Sequence, residues 1–166
     1  MTTLSDQSPV KLPPHDLDAE EAVLGSLLID HEAIAKVVAW LKPEDFYREK
    51  HRWTYECCLV VHHQGTPINQ IAVAHELARR TQLEAVGGAH YISHLISQVP
   101  TSVFVDHYGH IVQRLSQLRQ LLAASTQIAA IAYQVPESFD EALCRAEAIL
   151  ARLRNGGTRK RGGFAL

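Results

Sequence analysis

No apolar run among these 166 residues approaches the ~18 residues that a membrane-spanning helix needs. The first residues, MTTLSDQSPVK, lack the apolar segment of a secretory signal and read as a polar, disordered tail over 1–11. Cysteine is scarce and badly placed for a disulfide framework: Cys57 and Cys58 are neighbours, and Cys144 is distant. An odd count without a Cys-x-x-Cys pair suits a reducing cytoplasm. Charge of neither sign is in excess. A net charge of −2 and a pI near 6.5 exclude a body that grips nucleic acid by bulk electrostatics. Catalytic signatures are missing too. No Gly-x-Ser-x-Gly turn exposes a nucleophilic serine, no His-Glu-x-x-His pair offers itself to zinc, and no Gly stands four residues before a Gly-Lys-Ser/Thr triplet to cradle phosphates. Convincing period-two alternation is absent, which leaves little room for a sheet.

What is present is helical periodicity. Pro13 and Pro14 close the tail, and Asp16 is placed to cap a helix with Leu17, Val23, Leu24, Leu27 and Leu28 on one side. Ile34, Val37, Val38 and Leu41 fall at i, i+3, i+4 and i+7, the stripe of a short amphipathic helix. Pro43 with Glu44 and Asp45 behind it suits a first helical turn, where proline's missing donor costs nothing and acids favour the dipole. Trp53, Cys57, Val60 and Val61 give the inner face of the next helix, which Gly65 stops. Ile71, Ala74, Leu77 and Ala78 mark another. After the Gly87-Gly88 turn come Ile92, Leu95, Ile96 and Val99, ended by Pro100. Residues 12–102 therefore predict an all-α head of about five or six short helices.

Residues 103–153 are organised differently. From Val103 to Gln134 there is no proline, and Gly109 is the only glycine. Tyr108, Leu115, Leu122 and Ala129 mark one heptad position, and Ile111, Leu118, Ser125 and Ala132 the other. Pro136 breaks the run, Ser138 and Glu141 form a capping box, and Phe139, Leu143, Ala146, Leu150 and Leu153 supply the apolar face of a second helix. The pattern predicts a long antiparallel helical hairpin in the same domain as the head. The long helix also carries a second apolar row, Leu121, Ile128 and Val135, with Ala124 and Ile131 beside it. One partner helix cannot cover both rows, so this second row is assigned to self-association. Residues 154–166, RNGGTRKRGGFAL, are basic and Gly-rich and read as the start of a linker.

Candidate chemistry has blander explanations. His90 and His94 share a helix face, but no third ligand follows and no Glu lies between them, so a solvated face opposite Ile92 and Ile96 is the simpler reading. Neighbours on a helix point ~100° apart, so His62-His63 and Cys57-Cys58 do not converge on a metal, and Cys57 reads as a small core hydrophobe. Glu20, Glu21, Glu44 and Asp45 sit in first turns, where the helix dipole accounts for them. Phe46, Tyr47 and Trp53 read as core aromatics rather than a stacking platform. The basic cluster of Arg152, Arg154, Arg159, Lys160 and Arg161 reads either as solvated linker or as a contact for nucleic acid or a neighbouring domain. No catalytic, cofactor or metal residue is expected.

Three blocks carry a resemblance: LPPHDLDAEEAVLGSLLID from Leu12, then KPEDFYREKHRWTYE, then LEAVGGAHYISHLISQVPTSVFVDHYGHIVQ. In this order, and over roughly residues 12–155, the chain resembles the N-terminal domain of the bacterial replicative DNA helicase, the DnaB family. The resemblance implies a non-catalytic collar. Hairpins pair into dimers, the dimers close a ring above the motor domains, and the hairpins receive the C-terminal helical domain of primase. That role, and the apolar cluster at the hairpin turn, put Ile131, Tyr133, Val135 and Phe139 on the primase-docking surface. Implied partners are a second copy, primase, the motor domain of the parent helicase and a helicase loader, with nucleic-acid contact weak or indirect and no membrane. ATP and Mg belong to the parent's motor; no cofactor is implied for this chain. Two positions depart from the pattern. Asn69 stands where an acid is usual, and Gly109 where Ala is expected, at ~1 kcal/mol of helix propensity. The alternatives are a free-standing helical nucleic-acid-binding protein, a motorless helicase homologue acting as an adaptor, or a small enzyme or metal protein.

Without a phosphate loop the chain has no array of amides and lysine aimed at phosphates. It is expected neither to bind nor to hydrolyse ATP. A turnover assay with single-stranded DNA present checks this, and sustained hydrolysis above a blank preparation contradicts it.

Overall fold

The first helix starts where its sequence suggests. Asp16 is extended and its Oδ1 accepts the Ala19 amide at 2.9 Å, satisfying one of the orphan donors that open every helix. The computed structural model describes residues 11–158, all of its regular structure helical. Of the expected tail and linker, residues 1–10 and 159–166 lie outside the described residues. Helix α1 (Leu17–Ile29) is buried along nearly its whole length, with Val23, Leu24 and Leu27 fully enclosed. A helix covered on several sides loses its single stripe, and α1 serves as the axle on which the other helices pack.

The stripe of Ile34, Val37 and Leu41 is buried as its spacing predicts, but on tight turns rather than an α-helix. A 3-10 helix spans His31–Lys36. The amides of Val37 and Val38 both reach the Ile34 carbonyl, and those of Trp40 and Leu41 both reach that of Val37. The segment is pinned at both ends. Asp30 caps it through the Glu32 amide at 3.0 Å while accepting the Ser102 hydroxyl at 2.7 Å, and the Trp40 ring stacks on His110. Pro43–Asp45 is a second 3-10 turn, closed by Asp45 Oδ2 accepting the Lys42 amide at 2.9 Å. Pro43 thus opens its own short turn and not the next helix. Phe46, extended and fully buried, separates the two.

Helix α2 (Glu49–His63) ends before Gly65, which takes a positive φ of 74°. Helix α3 (Gln70–Arg79) is capped by Asn69, whose Oδ1 accepts the Ile71 and Ala72 amides at 2.9 and 3.0 Å. An asparagine oxygen is a full capping acceptor here, as a carboxylate oxygen would be. A single turn, α4 (Leu83–Val86), leads through Gly87 at φ 115° into α5 (Gly88–Ser97). The hairpin is α6 (Val105–Tyr133) and α7 (Phe139–Thr158). Helix α7 runs on through Thr158, so residues 154–158 are helical.

Glycine marks two close approaches. A Cβ on Gly25 of α1 would stand 2.3 Å from the Leu95 carbonyl oxygen and 2.3 Å from Val99 Cγ2. On α6, a Cβ on Gly109 would stand 2.8 Å from the Trp40 ring. The helix-propensity cost at Gly109 is therefore offset by the seating of Trp40.

The Gly25 contact yields a stability test. Since the obstruction is backbone, Gly25→Ala must separate α1 from α5, and overpacking of this kind costs about 1–3 kcal/mol. Chemical denaturation should show that loss with helicity retained, and an unchanged midpoint would mean that the helices are not in contact there.

Candidate interaction surface: the helical hairpin

The first half of α6 belongs to the head. Val105, Gly109, Val112 and Ser116 are buried against it. The Arg119 guanidinium donates to the Pro14 and Asp45 carbonyls, each at 2.7 Å, and locks the helix to the start of α1 and to the Pro43 turn. Beyond Arg119 the helix packs on α7.

The seam between the two helices differs from the heptad expectation. Ala124 and Ile131 are 4% and 6% exposed, and Ile128 is half-buried. They face the half-buried Ala142, Ala146, Ile149 and Leu153 of α7. Of the five residues assigned to self-association, Ala124, Ile128 and Ile131 therefore close the hairpin, and only Leu121 and Val135 remain exposed. The row expected to close it is turned outward, with Leu118 and Leu122 at 43% and 50% exposure. Both rows are apolar at heptad spacing, so their order cannot be ranked from spacing alone. The alanines decide it, because small side chains at 124, 142 and 146 let the helix axes approach.

Turning that row outward creates a continuous surface. Leu118 and Leu121 share a groove with Leu150, and by helical phase Leu122, Phe139 and Leu143 lie on the same side of the hairpin. At the tip, Tyr133, Val135 and Phe139 are 88%, 81% and 78% exposed. Val135 holds a φ of 50°, unusual and costly for a β-branched residue. Of the four expected docking residues, these three stand at the tip and Ile131 is in the seam. The cap of α7 is half as drawn from sequence: the Glu141 amide donates to Ser138 Oγ at 3.1 Å.

Elsewhere, polar side chains serve structure. Glu20, read from sequence as a first-turn acid, is buried; it accepts the Tyr47 and Arg48 amides and stands 2.6 Å from His51 Nδ1. His51, itself fully buried, escapes a reading of the sequence because a lone histidine carries no spacing signal. His94 meets Glu21 at 3.2 Å, and among the described residues no three ligand-type side chains converge. Desolvation pushes the Cys57 thiol up to about 11 and Cys58 higher still, so neither is an activated nucleophile. No helix among the described residues is long and apolar enough to cross a membrane.

A family model described as the DnaB-like helicase N terminal domain matches residues 12–114. The chain belongs to that family. It is 38% identical over 137 residues to the replicative DNA helicase DnaB of Geobacillus stearothermophilus, covering 82% of this chain and 30% of that protein. Against the helicase of Mycobacterium leprae it is 41% identical over 138 residues, covering 82% and 23%. The crystal structure of the N-terminal domain of DnaB helicase from Mycobacterium tuberculosis superposes with a TM-score of 0.79 at 39% identity, over 86% of this chain and 99% of that one. A structure described as a DnaB-like replicative helicase and its interactions with primase gives a TM-score of 0.69 at 24% identity, over 83% and 31%, and supports the fold alone. The chain thus spans under a third of the length of these helicases and corresponds to the DnaB N-terminal domain.

Proposed function

We propose that this DnaB-type domain is the assembly and docking collar of a replicative helicase in the bacterial cytoplasm, with ATP and Mg used only by the parent's motor. The observation that carries the reading is the outward leucine face of the hairpin. Leu118, Leu121, Leu122, Leu143 and Leu150 are each 43–50% exposed, and full burial of such a side chain is worth ~1.5–3 kcal/mol. About half of that remains to be gained at each position. A second hairpin of the same kind is the simplest cover, which makes a dimer the unit and a ring the product when motor domains are attached. Leu121→Glu with Leu150→Glu places two charges on this face outside the seam. Sedimentation over a range of concentrations should show dimers or larger species for the wild type and monomers for the variant. A wild-type chain that stays monomeric at the highest concentration refutes the interface.

The hairpin tip is the proposed site for primase. What supports it is the near-complete exposure of Tyr133, Val135 and Phe139, at the end of the hairpin that the resemblance makes the place of primase docking. Tyr133→Ala should weaken binding of the primase C-terminal domain by about 1–2 kcal/mol, as loss of an aromatic anchor does, with the melting temperature nearly unchanged. Titrations run beside melting curves measure both. Unchanged affinity moves the docking site elsewhere.

A further inference from the structure

The outward face of the hairpin is apolar along its middle and charged toward its ends. On α7, Phe139, Leu143, Glu147, Leu150 and Arg154 recur at spacings of three and four and form one strip. Glu147 and Arg154 are both exposed and stand about 10 Å apart along the helix axis. Arg154 shares its groove with Arg114 of α6 and with Leu118, Leu121 and Leu150, so the end of the face next to the head carries two cations. Toward the tip the charges are acidic, with Glu147 in the strip and the exposed Asp140 on its flank. On α6 the face continues toward the tip through the exposed small residues Ser125, Ala129 and Ala132. One continuous apolar face is therefore basic at its base and acidic at its tip.

Two copies can lay such faces together about a two-fold axis in two ways. With tip beside tip, each α6 lies over the α7 of the other copy, and Arg114 and Arg154 of both copies crowd into one end of the contact. With tip over base, α6 lies over α6 and α7 over α7, running in opposite directions. An axis level with Leu150, midway between positions 147 and 154, then sets Arg154 of each copy over Glu147 of the other, an ion pair made twice. Because Leu121 shares its groove with Leu150, the same axis passes beside Leu121 and Leu122 and seats Leu118 over the small Ser125 of the second copy. Like charges brought together exclude an arrangement, and complementary charges at a rim set orientation and register more than they add affinity. Given the leucine face as the self-association surface proposed above, we infer that the second copy lies antiparallel on it, tip over base, with Glu147 and Arg154 fixing the register.

Charge exchange reads out the register. Sedimentation equilibrium of the full 166-residue chain at low ionic strength compares wild type, Glu147→Lys, Arg154→Glu and the double exchange E147K/R154E. Each single change turns two attractive pairs into two repulsive ones and should weaken the dimer about ten-fold, the size expected for exposed ion pairs. The double exchange should restore wild-type association, and the differences should vanish at ~0.5 M salt. Circular dichroism checks that the variants are folded. If Arg154→Glu is not, Glu147→Gln and Glu147→Lys give the same comparison, with association falling from wild type to Gln to Lys. Pairing with tip beside tip predicts the opposite sign for Arg154→Glu, which would relieve the crowded arginines and tighten the dimer. A tightened Arg154→Glu, a double exchange no better than the single changes, or no fall in the Glu147 series overturns the antiparallel register and leaves the leucine interface standing. A wild type that stays monomeric throughout overturns both.

Discussion

One buried carboxylate organises the head. Glu20 leaves α1 within its first turn and ends in the core, where an unpaired charge would be prohibitively costly. It is satisfied by the Tyr47 and Arg48 amides and by His51, all at the start of α2. That helix has no side-chain cap of its own, since Arg48 at its N-cap position makes none. Glu20 supplies from another helix both the acceptor that the orphan amides need and the negative charge that the dipole favours. The crossing of α1 and α2 is thereby set, and with it the inward position of Phe46, whose ring lies 4.9 Å from that of Tyr55. The Tyr55 hydroxyl in turn donates to the Leu41 carbonyl at 3.0 Å and fixes the end of the second turn segment.

The head built in this way clasps half of α6 and leaves the other half to α7. Asp30 on Ser102, Trp40 over Gly109 and Arg119 on two carbonyls hold the helix from its approach through its first half. The projecting half inherits its direction from them, while its own packing partner is a single helix with two alanines in the seam. One thin helix covers one face of another, so the outer leucines stay in water. The interaction surface is a consequence of how little of the hairpin the head can reach.

The two positions that the resemblance marks as departures each have a contact that accounts for the residue present. Asn69 keeps the cap because its carbonyl oxygen does what a carboxylate oxygen does. Gly109 accepts Trp40 where a larger residue would meet it. The role of each residue is legible only with its contact in view.

Fold class, the helix count to within a turn, the cap at Asp16, the break at Pro136 and the ordered blocks that mark the family are all legible in the order of residues. These depend on neighbours within one or two turns, and such local rules can be read from spacing. The remainder was settled by packing between distant segments. Packing shortened the Ile34–Leu41 stripe into tight turns, because that segment is tied at both ends by contacts to Ser102 and His110 far along the chain. It drew Glu20 inward to cap a helix more than two dozen residues away. It also chose between the two apolar rows of α6, putting Ala124, Ile128 and Ile131 inside and the leucines outside. Heptad spacing makes both rows eligible; only the distance at which a second helix can approach separates them, and that depends on side-chain size at a contact between two elements.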